Sequence, residues 1–271
     1  MAAPVPSLRR LARAAAARRR VLILLDFDGT LCELKARPAK ARLSRSRRAS
    51  LSALLAGRIR LAVLSGRPIM QLKAMLKLPR AIYGGNFGLR IEGPGLEFIH
   101  PQARRQRPAL SRLARRLARL CSGTPGVMVE DKGASLSVHY RGVLPRYARR
   151  LRRLLAQARR ESPRGFAWQR GQNAWEILPT GSWDKGSAAR WLWRRLGRPY
   201  LLAIGDAGSD EAMFKAASSR GAAVRVGREV RRSAAAHRVA GVAQVYGFLR
   251  LLAREVRADL RRRTGSWRVR G

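Results

Sequence analysis

The chain of 271 residues is poor in cysteine and contains no long hydrophobic run. Its two cysteines, Cys32 and Cys121, are too few for a disulfide framework or for a zinc site built from thiolates. No apolar segment approaches the roughly 18 residues that a membrane-spanning helix requires. With 46% hydrophobic residues, the composition therefore predicts a soluble, globular, cytoplasmic protein without a membrane partner.

Acidic residues are also scarce, since 16 aspartates and glutamates stand against 58 lysines and arginines, for a formal net charge of +42. A surface of this charge attracts polyanions. The arginines, however, are spread with alanine over most predicted helices, which is typical of compositional bias in the source genome. A dedicated nucleic-acid site is expected to be local and interleaved with aromatic residues. We therefore predict a monomer that takes a small-molecule substrate and does not bind nucleic acid.

Strand-length and helix-length segments alternate along two stretches of the chain. Residues 1–20, rich in arginine and alanine, predict a basic N-terminal helix, with an organelle presequence as the alternative. Residues 21–25 (VLILL) form an apolar run typical of a parallel strand buried on both faces. Strand and helix then alternate over residues 21–100 and again over 180–248. This rhythm predicts a discontinuous, Rossmann-like α/β core with a parallel sheet.

The segment between the two halves of the core has a different pattern. Residues 101–179 predict a helix, a hairpin, a second helix and a second hairpin, with a glycine-containing turn at residues 131–133. We therefore predict that an α+β domain is inserted into the core. Residues 249–271 are basic, and we predict a loosely ordered C-terminal tail there.

Polar residues that could take part in a reaction follow the predicted core strands. Four of them come directly after strands: Asp26, Asp28, Ser65 and Asp206. Lys185 opens the helix that precedes the last of these strands. Because ligands bind at the carboxyl ends of parallel strands, we expect these groups to meet at one edge of the sheet. Carboxylates, a hydroxyl and an ammonium group together suit phosphoryl transfer.

Each of these groups has a role in such a reaction. Asp26 is the expected nucleophile, forming an aspartyl-phosphate, and Asp28 is expected to protonate the leaving oxygen and then activate water. Ser65 and Lys185 are expected to bind the transferring oxygens. Crowded carboxylates need a cation, and hard oxygen ligands select Mg²⁺. We therefore predict a Mg²⁺ site formed by Asp26, Asp206 and the backbone carbonyl of Asp28.

Four segments, in order and with suitable spacing, resemble the motifs of the haloacid dehalogenase-like phosphatases: residues 26–31 (DFDGTL), 65–67 (SGR), 185–186 (KG) and 205–211 (GDAGSDE). The resemblance implies a haloacid dehalogenase-like fold in which the inserted domain is a cap. It also implies a catalytic role for Thr30, substrate contacts from Gly66 and Arg67 beside Ser65, and a further metal ligand in Asp210.

A narrower resemblance, to the trehalose-6-phosphate phosphatases, rests on residues 85–88 (GNFG), 129–133 (VEDKG), 139–141 (HYR) and 175–179 (WEILP). It extends over nearly all of residues 21–248. It implies hydrolysis of trehalose 6-phosphate in trehalose biosynthesis, and a mobile cap that closes over the core and excludes water. The substrate-binding residues that it implies are Asn86, Glu130, Lys132, His139, Arg141 and Glu176.

Other interpretations remain open. Glu130 and Lys132 are also compatible with a polar hairpin turn, and His139 with a half-buried sheet face. The trehalose-6-phosphate phosphatases usually have His at position 87, an acid near 90, Arg at 178 and Asp at 207, where this chain has Phe, Arg, Leu and Ala. A phosphatase of another sugar or glycosyl phosphate is therefore an alternative, and a non-catalytic polyanion-binding protein is a second one.

Overall fold

The computed structural model describes residues 5–34, 42–55, 58–171, 173–181, 183–227 and 232–265. The chain divides into two compact units, the first formed by Met1–Glu97 with Trp183–Gly271 and the second by Phe98–Ser182. The segment 101–179, predicted as an insert, falls within the second unit. None of the helices in the described ranges has the length and apolar character needed to cross a membrane.

The two predicted types of secondary structure alternate along most of the chain. In chain order the elements are α1 (Val5–Ala16), β1 (Val21–Leu25), α2 (Arg45–Leu55), β2 (Ile59–Leu64), α3 (Ile69–Leu76), β3 (Ile82–Gly85), β4 (Arg90–Gly93), β5 (Leu96–Ile99), α4 (Pro101–Cys121), β6 (Met128–Asp131), β7 (Leu136–His139), α5 (Pro145–Arg160), β8 (Phe166–Arg170), β9 (Ala174–Pro179), α6 (Lys185–Arg195), β10 (Tyr200–Gly205), α7 (Glu211–Ser218), β11 (Gly221–Val226), β12 (His237–Val239) and α8 (Val242–Gly265).

The larger sheet has eight strands in the order β12-β11-β10-β1-β2-β3-β4-β5. Strand β1 lies between β10 and β2 and pairs parallel with both, which is why all five of its residues are buried. The β3–β4 pair is antiparallel. Strands β4, β5 and β12 were not predicted from the sequence. The carboxyl ends of β1, β2 and β10 meet at one edge of this sheet, as expected for a Rossmann-like core.

The prediction of a tail over residues 249–271 is wrong for residues 249–265, which continue helix α8. Leu249, Leu252 and Val256 of this helix are buried in the main apolar cluster of the first unit. Their spacing of three and four residues places them on one helical face, and the arginines between them point elsewhere. Residues 266–271 lie outside the described part of the chain. Helix α1 contributes Leu11 to the same cluster.

The second unit has its own sheet and its own apolar core. Four antiparallel strands lie in the order β6-β7-β9-β8. Helices α4 and α5 supply residues such as Leu117 and Leu155 to a cluster that includes Val138 and Ile177 of the sheet. Because side chains alternate along a strand, the neighbours of Val138 and Ile177 face the other way. That opposite face carries polar residues.

Candidate active site

Asp26 is the first residue beyond the carboxyl end of β1. Its backbone N–H donates to the carbonyl of Ile204 in β10 at 2.9 Å, so that the parallel pairing continues into the motif. The side chain of Asp26 is only 7% exposed. A buried strand thus delivers a carboxylate to the sheet edge in surroundings that have little access to water.

The turn after Asp26 requires glycine at position 29. The N–H groups of Leu31 and Cys32 both donate to the Phe27 carbonyl, at 2.9 and 3.0 Å, and close the turn. Gly29 has φ +82°, and a Cβ atom there would collide with the carboxylate of Asp206. The glycine therefore permits the close approach of the first loop to the loop that follows β10.

Lys185 joins two carboxylates of the site. It is the first residue of α6, a helix whose N-cap, Asp184, accepts a hydrogen bond from the Ser187 N–H at 2.7 Å. The Lys185 Nζ lies 2.6 Å from Oδ1 of Asp26 and 2.6 Å from Oδ1 of Asp210, and the side chain is 2% exposed. Burial alone would lower the pKa of Lys185, but the charges of Asp210 and Asp26 outweigh burial and raise it. Lys185 is therefore a permanent buried cation.

Three carboxylates converge beside this cation. Oxygens of Asp26, Asp206 and Asp210 all lie within 4.8 Å of one another. Burial raises the pKa of Asp26 well above its usual range, although Lys185 acts in the opposite direction. Burial, together with the charge of Asp210, also raises the pKa of Asp206 to about 6. Three carboxylates and one ammonium group leave two negative charges in excess when all are ionised, which is the charge that a divalent cation would balance.

The hydrogen bonds separate the roles of these carboxylates. Asp210 is saturated, because Oδ1 accepts from Lys185 while Oδ2 accepts from the N–H groups of Asp206 and Ala207 at 3.0 and 2.9 Å. Within the described residues, the buried Oδ1 of Asp206 has no hydrogen-bond partner. A buried carboxylate oxygen in this state fits a metal ligand. Asp26 and Asp206 are thus the carboxylates that could bind a cation directly, and Asp210 fixes the loop that carries Asp206.

The carboxylate of Asp28 lies outside this group and pairs with Arg67. The Nε and Nη2 atoms of Arg67 donate to the two oxygens of Asp28, each at 2.6 Å. The guanidinium group also lies over the ring of Phe27, 5.3 Å from its centroid. The Asp28 side chain is 33% exposed, in contrast to that of Asp26. The two motif carboxylates therefore point into different surroundings.

The loop after β2 is held by the loop after β3. The hydroxyl of Ser65 accepts from the Arg67 N–H at 3.2 Å. The N–H groups of Asn86 and Phe87 donate to the carbonyls of Arg67 and Ser65 at 3.0 and 2.8 Å. The Phe87 ring lies so close to Gly66 that a Cβ atom there would collide with it. Ser65, Arg67 and Asn86 are consequently fixed together at the same sheet edge.

Thr30 is fully buried in the first motif. Its hydroxyl oxygen has no hydrogen-bond partner within the described ranges. A buried hydroxyl in this state is available to a ligand.

The second unit carries a row of polar side chains across three strands, formed by Glu130, Ser137 and Glu176. Glu130 is opposite Ser137 and Ser137 is opposite Glu176 in the antiparallel register, so all three share one face. The Ser137 hydroxyl donates to Oε2 of Glu176 at 2.6 Å, and Lys132 Nζ lies 3.2 Å from the same oxygen. We call Glu130, Ser137 and Glu176 the polar row.

Two further residues predicted to bind substrate lie at the end of the polar row. The Nε2 atom of His139 is 3.0 Å from Oε2 of Glu130, so His139 joins the row. Arg141 is exposed in the turn that follows β7. The structure thus brings Glu130, Lys132, His139 and Glu176 together, and places Arg141 beyond the strand end.

Sequence reasoning missed two groups that shape these sites. Ser137 is fully buried and orients Glu176, and only its position opposite Glu176 in the antiparallel pairing of β7 with β9 would have indicated it. Trp183 donates its indole N–H to the Gly88 carbonyl at 2.9 Å and so fastens the segment before Lys185 to the loop after β3. No pattern in the sequence indicated that contact.

This largely parallel sheet, whose first strand places Asp26 beside a buried lysine and a second acidic loop, has the haloacid dehalogenase-like fold. The chain belongs to the trehalose-phosphatase family, whose model matches residues 24–242.

Individual relatives agree with this assignment. The chain is 29% identical over 221 residues to trehalose-phosphate phosphatase B of Arabidopsis thaliana, covering 76% of this chain and 59% of the relative. It is 31% identical over 214 residues to the trehalose-phosphate phosphatase of Mycobacterium ulcerans, covering 76% of this chain and 54% of the relative. The chain thus spans little more than half the length of these relatives.

A solved structure shows the same fold. The C-terminal domain of the trehalose-6-phosphate phosphatase of C. albicans superposes with a TM-score of 0.76 at 22% identity, covering 93% of this chain and 97% of that domain. The haloacid dehalogenase-like fold predicted from the four motifs is confirmed.

Proposed function

We propose that this chain is a Mg²⁺-dependent phosphatase that hydrolyses trehalose 6-phosphate to trehalose and phosphate, in trehalose biosynthesis. The observation that carries the proposal is the buried Lys185, which bridges Asp26 and Asp210 at the carboxyl edge of the sheet. Membership of the trehalose-phosphatase family supports the substrate.

In the first half of the reaction, Asp26 attacks the phosphorus atom. A bond forms between a carboxylate oxygen and phosphorus while the bond from phosphorus to the sugar oxygen breaks, and the product is an aspartyl-phosphate. Lys185 holds Asp26 in place and offsets negative charge as it develops on the transferring group. Ser65, at the next strand end, is positioned to donate to a phosphoryl oxygen.

Asp28 supplies the proton that the leaving sugar oxygen needs. Arg67 binds and orients the two oxygens of Asp28 before substrate arrives. A phosphate group gives Arg67 a second anionic partner and so releases Asp28, which takes up from solvent the proton that it passes to the leaving oxygen. In the second half, Asp28 accepts a proton from water, the water oxygen bonds to phosphorus, and the Asp26–phosphorus bond breaks to release phosphate.

The acidic cluster supports a role for Mg²⁺. Asp26 and Asp206, with the Asp28 backbone carbonyl, would hold the ion next to Asp210. When bound, Mg²⁺ supplies positive charge that neutralises the phosphoryl oxygens. The unpartnered Oδ1 of Asp206 supports this assignment. Removal of divalent cations with EDTA is expected to abolish phosphate release, and added Mg²⁺ is expected to restore it.

The polar row supports binding of a sugar with many hydroxyl groups. Its carboxylates lie on strands, with the ammonium group of Lys132 beside Glu176, and such groups form charge-assisted hydrogen bonds with hydroxyls. Leu178 lies two residues after Glu176 in β9, on the same face, where the trehalose-6-phosphate phosphatases usually have arginine. This apolar residue favours a second candidate function, hydrolysis of another sugar or glycosyl phosphate by the same chemistry.

A substrate panel decides between the two candidates. Purified full-length protein with Mg²⁺ is incubated with trehalose 6-phosphate and with a set of other sugar phosphates, and phosphate release is measured. We expect the highest kcat/KM with trehalose 6-phosphate. A higher value with another sugar phosphate would favour the second candidate.

The Asp26→Asn variant tests whether the chain is an enzyme at all. We expect near-complete loss of phosphate release from a variant that still folds, as its circular dichroism spectrum would show, while Glu97→Gln, at an exposed position of β5, keeps full activity. If the wild-type protein released phosphate from none of the sugar phosphates in the panel, the non-catalytic polyanion-binding alternative would be favoured. Turnover that persists in Asp26→Asn would mean that the nucleophile is assigned wrongly.

A further inference from the structure

A basic cavity of about 690 Å³ lies at the amino-terminal ends of the strands of the large sheet. The candidate catalytic residues lie at the carboxyl ends of the same strands. Arginines and aromatic residues line much of the cavity, among them Arg18, Arg20, Arg198, Arg220, Trp193 and Tyr200. Its volume is within the range of about 300–1,000 Å³ that is usual for small-molecule sites.

The sheet register creates this cavity. Strands β1, β10 and β11 are neighbours, and the residues at or just before their first positions are Arg20, Tyr200 and Arg220. The Tyr200 N–H donates to the Arg20 carbonyl at 3.0 Å, and the Leu201 N–H donates to the Arg220 carbonyl at 3.2 Å. A five-residue strand rises about 3.3 Å per residue, which separates the cavity from the catalytic edge by about 15 Å.

The arginines of the cavity are held by aromatic rings. The guanidinium carbon of Arg220 lies 4.7 Å from the centroid of the Trp193 ring, and that of Arg198 lies 5.6 Å from it. The guanidinium carbon of Arg18 lies 5.2 Å from the centroid of the Tyr200 ring. Stacking uses the face of a guanidinium group and leaves the N–H edges of Arg18 and Arg198 available for contact with phosphate. Nη1 of Arg220 instead donates to the Ala216 carbonyl and the Ser219 hydroxyl, at 3.0 and 2.6 Å.

The backbone around the cavity fixes the same groups further. Trp193 donates its indole N–H to the Pro199 carbonyl at 2.9 Å. Gly197 has φ +77°, and a Cβ atom there would collide with the guanidinium group of Arg20. The Trp193 ring and the backbone around this cavity are therefore fixed, and Arg18, Arg20 and Arg198 present exposed guanidinium groups beside them.

Charge distinguishes this cavity from others on the same unit. Among the residues that the structure describes, no aspartate or glutamate lines it, and none forms an ion pair with Arg18, Arg198 or Arg220. A smaller cavity between α1 and α8 also contains arginines, but Glu255 and Asp259 line it and neutralise them. A concave surface with charge of one sign concentrates counter-ions.

We propose that this cavity is a binding site for a small anion with several phosphate groups, separate from the catalytic site. Guanidinium edges bind the phosphate oxygens. Because arginines already stack on the rings of Trp193 and Tyr200, recognition depends on the phosphate chain and not on base stacking. An inorganic polyphosphate and a nucleoside triphosphate share this chemistry.

Titration calorimetry on the full-length protein in 150 mM NaCl tests the site, with inorganic tripolyphosphate as the probe. The test variant is the double substitution R18Q/R198Q. The matched control is R250Q/R254Q, which removes two charges from exposed positions of α8. We expect saturable binding that R18Q/R198Q weakens at least tenfold and R250Q/R254Q weakens less than twofold. Both variants are expected to keep wild-type thermal unfolding and phosphatase activity.

A second titration, with ATP, separates the two sources of the phosphate chain. Equal affinity for ATP and tripolyphosphate would show that the phosphate chain alone is recognised. A higher affinity for ATP would overturn that part of the proposal, because the nucleoside would then contribute to binding. Equal losses of tripolyphosphate affinity in the two double variants would overturn the proposal. It would also be overturned if single-stranded DNA bound more tightly as its length increased and both double variants weakened that binding equally. In that case the general surface charge binds polyanions.

Discussion

The charged groups of the two units differ in how they are buried and paired. In the first unit, Lys185, Asp26 and Asp210 are almost completely buried, and both carboxylates contact the ammonium group of Lys185. In the second, Glu130 and His139 are about one quarter exposed and form a pair of their own. Removing one partner from a buried group of charges leaves the others unpaired and is costly, whereas a half-exposed pair can lose one member at a small cost. This difference suits the proposed roles of the two groups, a fixed reaction chemistry in the first unit and a variable substrate contact in the second.

The largest effect is expected for Lys185→Met. Its removal leaves the buried carboxylates of Asp26 and Asp210 without their cation, which costs about 3–5 kcal/mol of unfolding free energy. Phosphate release should fall by at least about 10²-fold, because a charge that stabilises the transferring group is lost. Urea unfolding and initial rates measure the two effects.

Lys215→Met is the matched control for that substitution, because Lys215 is exposed in α7. It should change the unfolding free energy by less than about 0.5 kcal/mol. Equal stability of the two variants would contradict the idea that the catalytic edge is one mutually dependent charge network.

The next effect is expected for Asp28→Asn. The more exposed Asp28 should be dispensable for folding but not for catalysis, with a loss of about 10²–10⁴-fold in kcat/KM for trehalose 6-phosphate. For p-nitrophenyl phosphate, whose leaving group needs no proton, the loss should be much smaller. Asp26→Asn should lose activity on both substrates equally. Equal losses for Asp28→Asn on both substrates would exclude it as the acid.

The fold of the first unit and the positions of its candidate catalytic residues were predictable, because apolar runs of strand length end in polar residues. Buried parallel strands require such runs, and the ends of the strands must meet at one edge. The ion pair between Arg67 and Asp28 was not predictable. It depends on side-chain orientation across two loops that are 39 positions apart in the chain.

The sequence prediction failed for different reasons in the two units, and in the first unit one error arose where arginine obscures the pattern. In α8, Leu249, Leu252 and Val256 have helical spacing, but the basic residues between them suggested a tail. In the second unit, strand alternation indicated the hairpins, but which polar residues pair depends on register. The pairing of Ser137 with Glu176 follows only from the observed alignment of β7 and β9.

A smaller effect is expected for Glu176→Gln in the polar row. The change weakens a charged hydrogen-bond acceptor, and such a bond contributes about 1.5 kcal/mol, so KM for trehalose 6-phosphate should rise about tenfold with little change in kcat. Glu161→Gln, which removes a surface ion pair with Arg116 in the same unit, should change KM less than twofold. A fall in kcat with unchanged KM would mean that the polar row acts on the reaction itself.

The smallest effect is expected for Ser137→Ala, which tests whether the polar row works as one unit. Ser137 donates to Glu176 at 2.6 Å, so its loss should raise KM about threefold by freeing that carboxylate, without removing any charge. If Ser137 acts through Glu176, the double variant with Glu176→Gln should have the same KM as Glu176→Gln alone. Additive increases would show that the Ser137 hydroxyl contributes independently. The row would then resemble a set of separate contacts and not a weaker counterpart of the buried network around Lys185.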